Sequence, residues 1–561
     1  MTNADSFVGL LKAISGDGQV LAGANATRPY RTGFRSGQGP ALAVVRPRSL
    51  IEQWRVLEAC VAANKIILMQ AANTGLTGGS TPDDGGYDRD VVIVNTMCIA
   101  KLHVIDEGRQ VICLPGATLD QLEKALKPYG REPHSVIGAS CLGASVMGGI
   151  CNNSGGALVR RGPAYTQMSL FARLDEHGRL QLVNHLGVRL GEDPEAMLGR
   201  LEKGEFGPED IQHGPACCGS DVGYASRVRE IDADTPARFN ADPGRLYEAS
   251  GCAGRIALFA VRLDTFPRDS DTRVFYIGTT DPAELTDLRR HVLSRYENLP
   301  VAGEYMHRDL FDLAATYGKD SFLTIQYLGT GRLPRFFRLK RTMDRFVSTD
   351  KWLQRLGRLF PDHLPVRLRA YRDRFEHHLI LKMAGAGIEE ATGHLRSIFP
   401  SASGDFFECT EKEAGKAFLH RFVAAGAAMR YRTLHGETIE DLVALDIALK
   451  RSERDWFEVL PEDLRAQVHL ALYYGHFFCH VFHQDYLIRK GCDPAAVKQA
   501  LLRWIDALGA EYPAEHNVGH LYRAKPALVE FYRQLDPCNQ FNPGIGQTPK
   551  SVHWGRASCS T

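Results

Sequence analysis

Two short segments concentrate side chains able to move protons or bind a cation. YYGHFFCHVFHQDY carries His476, His480 and His483, and EHNVGH carries Glu515, His516 and His520. A lone histidine is more often a satisfied core residue, but five imidazoles and a carboxylate in two such stretches fit catalytic use, because imidazole titrates near neutrality and serves as base or ligand. KAFLHRF and AAMRYR add Arg421, Arg430 and Arg432, guanidinium forks suited to pair with a carboxylate.

A second kind of chemistry lies in two loops of small residues, AANTGLTGGSTP (71 to 82) and GASCLGASVMGGICNNSGG (138 to 156). Neither matches GxGxxG opening a helix, nor GxxxxGK[ST], so a Rossmann or P-loop reading is weak. What remains is a strand running straight into residues small enough to present successive backbone N–H groups to a pyrophosphate. The second loop adds Ser140, Ser145, Asn152, Asn153 and Ser154 as donors. One such loop could be a tight turn; two, with PGATLDQLEKAL between them, point to a ligand.

The elements that must position these groups read as α/β at the start. SLIEQWRVLEACVAAN and TLDQLEKALKPYG have helical periodicity, whereas KIILMQ and DVVIVNT read as buried strands. GCAGRIALFAVRLDTFP looks like a turn and a strand, after which charge density rises, placing a domain boundary near 268. The remainder is mainly helical in pattern. At 561 residues the chain needs two or more domains.

The formal net charge of +1 argues against a protein built to wrap nucleic acid. Residues 331 to 375 depart from that balance, with 13 Lys or Arg against 4 Asp, a local net of +9, and with Phe336, Phe337, Phe346, Trp352, Leu356, Leu359 and Phe360 interleaved. Cations beside aromatic residues at helical spacing suit an anionic lipid surface better than nucleic acid or a merely solvated face. No run reaches the roughly 18 apolar residues of a membrane-spanning helix, and the N-terminus lacks an export pattern, so any membrane contact is expected to be peripheral. The 13 cysteines show no paired CxxC spacing, which excludes the usual zinc and iron–sulfur motifs and fits a reducing compartment.

QAANTGLTGGSTP and the second loop resemble the FAD-binding domain of the vanillyl-alcohol oxidase and p-cresol methylhydroxylase family. GFRSGQG, GREPHSVIGASCLGASVMGGICNNSGG, RRGPAYTQMSLFAR, PAEHNVGHLY and NPGIG extend the resemblance across nearly the whole chain, to the quinone-dependent D-lactate dehydrogenases of Gram-negative bacteria. The resemblance implies an α+β fold: a two-subdomain FAD-binding domain (1–267), a cap domain with an antiparallel sheet (268–515) containing a helical basic membrane-binding insertion (331–375), and a C-terminal segment (516–561) returning to the FAD domain. It implies oxidation of D-lactate to pyruvate with electrons passed to a membrane quinone, at the cytoplasmic face of a bacterial inner membrane. A related D-2-hydroxyacid dehydrogenase acting on another 2-hydroxy acid is the alternative.

Carried onto this sequence, the resemblance assigns the FAD pyrophosphate to Ala71, Ala72, Asn73, Thr74, Gly75, Gly79 and Ser80. It places Gly138, Ser145 and Gly155 on the second side and the backbone near Ile256 or Ala257 against the adenine or ribityl part. No residue in these loops is an obvious histidyl or cysteinyl flavin attachment point, so the FAD is expected to be dissociable. In related dehydrogenases GHxGDGNLH and a later EHG supply two metal-binding histidines, a glutamate ligand and a catalytic histidine. His476 and His483 keep the seven-residue separation and Glu515 and His516 keep the turn, while GDGN is absent and Asn517 replaces the glycine. The implied roles are His476, His483 and Glu515 for a divalent metal, His516 as the base that takes the hydroxyl proton, and Arg421 for the substrate carboxylate.

Overall fold

The computed structural model describes residues 3–134, 143–214, 217–328 and 362–555. Three large sheets organise them, beside a two-stranded pair of Arg131–Glu132 with Phe266–Pro267. The first has the order Val20–Ala22, Ala43–Val45, Val91–Asn95, Ile66–Gln70, in which the last three strands run parallel. Val91–Asn95 is buried along its whole length, the mark of a strand covered on both faces, and it reads in sequence as an unbroken apolar run. Helix Leu50–Ala62 covers it, started by Ser49, whose hydroxyl accepts from the Glu52 amide at 3.1 Å.

The second sheet is antiparallel, in the order Leu102–Ile105, Gln110–Cys113, Ala257–Asp264, Ser169–Leu174, Leu180–Asn184. Helix Leu119–Leu126 packs there, opened by a capping box between Thr118 and Gln121. The strand expected after the turn near 250 is Ala257–Asp264, and Ile256 and Ala257 are buried at its start.

The third sheet has seven antiparallel strands, in the order Gly404–Glu408, Thr272–Thr279, His377–Ala384, Ala302–His307, Val468–His476, Val481–Arg489, Ile439–Ala448. It corrects the reading of the chain beyond 375 as mainly helical. YYGHFFCHVFHQDY is a hairpin, Val468–His476 and Val481–Arg489 joined through Phe477–Cys479. Both strands are largely buried, so the polar and apolar alternation that marks a strand in sequence is lost. Helices Arg308–Tyr317 and Glu411–Leu434 cover one face of this sheet, the latter started by a capping box between Thr410 and Glu413.

The chain then returns to the first sheet. Ile67 donates its amide to the Gln540 carbonyl and accepts from the Asn542 amide, both at 2.9 Å. Arg255, fully buried, ties this return by donating to Asn539 Oδ1 at 2.6 Å and Thr548 Oγ1 at 2.8 Å.

Most of the basic segment, with all seven of its singled-out aromatic and leucine residues, lies outside the described residues, as does Gly138. The end of that segment that is described carries one helix. Helix Val366–Arg374 buries Leu368 and Tyr371, while Arg367 pairs with Glu413, Arg369 with Asp362, Arg372 with Asp312 and Arg374 with Asp405. From residue 362 onward the window packs against the third sheet, and these four arginines pair with protein carboxylates.

Candidate active site

The antiparallel register aligns the chemistry. Glu304 stands opposite His476, Tyr474 opposite His483, and His483 opposite Asp446. Side chains alternate between faces with period two, so Glu304, Tyr474, His476, His483, Asp485 and Asp446 share one face. The seven-residue spacing of His476 and His483 becomes a diagonal across the hairpin.

Ala514 to His520 crosses this face from the C-terminal side. Asp446 seats it, accepting the Glu515 amide at 2.6 Å on Oδ2, while the Ala514 amide donates to the Asp446 carbonyl at 3.0 Å. Glu515 Oε2 then lies 3.2 Å from His476 Nε2 and 3.8 Å from His483 Nε2. The other nitrogen of each ring faces a second carboxylate: His476 Nδ1 is 2.6 Å from Glu304 and His483 Nδ1 is 3.4 Å from Asp446. Imidazoles turned by outer carboxylates toward a common third ligand form the arrangement that holds a divalent cation. One ligand atom from each of His476, His483 and Glu515 lies within 4.8 Å of the others.

The electrostatics agree. Burial alone would push His476 down, but the carboxylates of Glu304 and Glu515 outweigh it and raise the ring to about 10. Burial pushes Asp446 up to about 6 and takes His483 well below its usual value, whereas Glu515, despite burial, is held low by His476 and Arg238. Positive charge is thus favoured between the two Nε2 atoms and Glu515.

Arg238 and Glu304 were not singled out from the sequence. Arg238 is buried and donates to Glu515 Oε1 at 2.7 Å and to the Gly156 carbonyl at 2.6 Å. Glu304 bridges His476 and Arg421, whose Nη2 lies 3.0 Å away. Arg421 also stacks over the Tyr474 ring at 4.5 Å, and its Nε has no partner. Asp446, Asp485 and Tyr474 were likewise unmarked; a single acidic or tyrosine residue in a strand carries no spacing signal.

The five-imidazole cluster contracts to three. His516 is half-exposed, with Nε2 3.8 Å from Asp446 Oδ2. His480 occupies the left-handed turn of the hairpin, with Nδ1 3.0 Å from the Lys450 carbonyl. His520 reaches the Thr81 carbonyl at 2.9 Å and so fastens the C-terminal turn to the first small-residue loop. Arg430 is paired with Asp320 and Arg432 with Asp441.

Both small-residue loops converge on this segment. Gly519, at φ +55°, lies against Thr77, where a Cβ would stand 2.1 Å from the carbonyl oxygen, and Asn517 packs on Gly79 and donates to Asn152 Oδ1 at 2.7 Å. Gly155 faces Glu515, and a Cβ there would stand 2.2 Å from Oε1. Ser145 caps helix Val146–Cys151, its hydroxyl accepting the Gly148 amide at 3.0 Å. In the first loop Ala71 and Ala72 follow the strand, Ser80 donates to Asn73 Oδ1 at 2.8 Å, and a Cβ on Gly75 would meet open space. Among the described hydrogen bonds none starts from a backbone N–H between Asn73 and Ser80, Thr74 and Gly75 included. Successive amides without protein acceptors beside a strand end can form a nest for a diphosphate, so these residues fit the FAD.

Gly155→Ala is expected to push Glu515 aside, lowering substrate-driven flavin bleaching per bound flavin by about 10²-fold, as for a misplacement of about 1 Å, with any loss of flavin read separately from the flavin-to-protein absorbance ratio. Stopped-flow absorbance on flavin-loaded protein measures the bleaching.

Fold and site together define an FAD-binding oxidoreductase of p-cresol methylhydroxylase architecture. The structure superposes on p-cresol methylhydroxylase with substrate bound at a TM-score of 0.58, with 13% identity and 98% of each chain covered. An FAD binding domain model matches residues 41–179, and a model described as D-lactate dehydrogenase, membrane binding, matches residues 274–554. The chain is 57% identical to the quinone-dependent D-lactate dehydrogenase of Escherichia coli (strain K12), over 99% of both, and 53% identical to that of Haemophilus influenzae, over 98% of this chain and 100% of the relative. It belongs to the quinone-dependent D-lactate dehydrogenase family. Membrane association follows at that level; among the described residues no helix is long and apolar enough to cross a membrane.

Proposed function

We propose that this chain oxidises D-lactate to pyruvate on a non-covalently held FAD and passes the electrons to a membrane quinone, while bound peripherally to anionic lipid at the cytoplasmic face of a bacterial inner membrane. The observation that carries this reading is the junction of two FAD loops and an imidazole-carboxylate face through Ala514 to His520. The relatives' printed name supports the substrate and the acceptor. Residues 1–267 would serve as the FAD domain, 268–515 as the cap and 516–561 as the returning segment, with lipid contact assigned to the basic stretch.

In this reading Arg421 offers its remaining donors to the substrate carboxylate. His516 takes the hydroxyl proton as hydride leaves the α-carbon, with Asp446 steadying the charge that the ring acquires. When bound, FAD supplies the two-electron acceptor. A divalent cation on His476, His483 and Glu515 would lower the pKa of the substrate hydroxyl. Glu304 and Asp446 orient the two imidazole ligands, and Ala71 to Gly75, Gly79, Ser80, Gly138, Ser145, Gly155 and the Ile256–Ala257 backbone line the cofactor.

Anaerobic addition of D-lactate to yellow protein should bleach the flavin, with L-lactate leaving it oxidised; bleaching by neither, or by both equally, overturns the reading. Asp446→Asn should weaken the proposed metal by about 10–100-fold, as outer-shell changes do, seen by metal content after dialysis against graded chelator.

A further inference from the structure

The sheet face that carries the active site continues beyond it. One cross-strand row runs His378, Met306, Tyr474, His483, Asp446. At its His378 end lies a second histidine group that the chemistry above does not use. His378, His363 and His420 are buried, with relative exposures of 0%, 5% and 0%. Aromatic rings surround them: His363 lies 4.4 Å from Phe322, His420 4.4 Å from Phe311, and His378 5.7 Å from Tyr276, measured between ring centroids.

These groups are short of partners. Neither nitrogen of His378 or of His363 has a hydrogen-bond partner, and the Tyr276 hydroxyl and His420 Nδ1 have none either. His420 Nε2 lies 3.1 Å from the Phe311 carbonyl, which can only accept, so Nε2 carries the hydrogen and Nδ1 is left as an acceptor. Burial keeps all three rings neutral, pushing His378 and His420 down to about 3 and His363 to about 4. Six buried polar atoms without protein partners in one apolar cluster are well outside the ordinary pattern and call for a partner that the protein itself does not supply, whether a ligand or ordered water.

The location narrows the choice. Helix Lys319–Leu328, which bears Phe322, is the last described element before the basic segment, and His363 stands one residue after the chain is described again at Asp362. Helix Glu411–Leu434 sends His420 into this cluster and the next residue, Arg421, to Glu304. The cluster therefore lies between the two ends of the basic segment and the active site. From His378 to His483 is three strand spacings, about 14 Å.

We propose that this histidine and aromatic cluster receives the quinone headgroup, an inference that rests on the quinone reading above. A quinone is flat and apolar, and its only polar atoms are ring-borne oxygens. Aromatic faces pack its ring, imidazole N–H groups and the Tyr276 hydroxyl donate to its carbonyl oxygens, and His420 Nδ1 accepts from the hydroxyl that reduction creates. D-lactate loses two electrons and two protons in becoming pyruvate. The two electrons pass by way of the flavin to the quinone, which takes up two protons and becomes the quinol, its C=O bonds converted to C–O–H.

The test separates the two half-reactions in flavin-loaded full-length protein, comparing wild type, Tyr276→Phe and His378→Gln. D-lactate bleaching and turnover with an artificial dye should stay within about twofold of wild type, while the KM for a short-chain, water-soluble benzoquinone rises about tenfold, the factor for one lost hydrogen bond. Tyr276→Phe removes only a hydroxyl and keeps the ring, so it reads out even if His378→Gln does not fold. Unchanged quinone kinetics in Tyr276→Phe would overturn the assignment, as would an equal fall in bleaching, dye and quinone rates. Wild-type protein that bleaches with D-lactate but reduces no quinone would overturn the acceptor reading itself; wild-type protein that does not bleach would remove the function on which both stand.

Discussion

His516→Ala is expected to slow flavin reduction by D-lactate by about 10²–10⁴-fold, the usual contribution of a positioned acid-base group. Three features single out this ring. It is half-exposed where His476 and His483 are engaged on both nitrogens. It follows the ligand candidate Glu515 directly, so the backbone that fixes one fixes the other. Its Nε2 lies 3.8 Å from the buried Asp446, whose carboxylate can stabilise the protonated ring. Because His516 is not among the residues proposed to hold a cation, metal content and bound FAD should match wild type, and anaerobic stopped-flow traces then isolate the proton-transfer defect. A rate within about threefold of wild type would remove His516 from the chemistry, since even a weak general base contributes more.

Arg238→Leu is expected to destabilise the protein by about 3–5 kcal/mol, the range for removing one partner of a buried ion pair. Arg238 and Glu515 are both buried, 2.7 Å apart, and Arg238 also holds the Gly156 carbonyl of the second loop. The leucine would leave Glu515 buried beside Asp446, itself pushed up to about 6 by burial. The denaturant midpoint, at fixed FAD and metal, should fall accordingly, and Arg238→Lys should recover part of it by restoring charge without the fork. A loss under about 1 kcal/mol, as for an exposed pair, would mean that Glu515 is neutralised by another group.

How much of this was legible in the residues differs between the two halves. Strands Ile66–Gln70, Val91–Asn95 and Ala257–Asp264 stand where apolar runs place them, and helices Leu50–Ala62 and Leu119–Leu126 where periodicity places them. The hairpin of the third sheet was hidden because burial on both faces erases alternation. The histidine motif had to be read by spacing alone, which cannot tell the ligand-like His483 from the turn residue His480 three positions earlier.

Local composition thus determined that small residues follow a strand, that imidazoles gather in two segments, and that a basic stretch interrupts an otherwise neutral chain. Each is a property of neighbours along the chain, where residue type is sufficient. The partners Glu304, Arg238 and Asp446 were decided by tertiary structure only. They come from strands and loops up to 277 residues away; cross-strand register, which no local pattern encodes, sets Glu304 and Asp446 opposite the histidines, and a loop brings Arg238 to Glu515. The pairing of Gly155 with Glu515 has the same origin: a glycine is ambiguous in sequence, and only the close approach of two distant segments shows what its missing side chain makes room for.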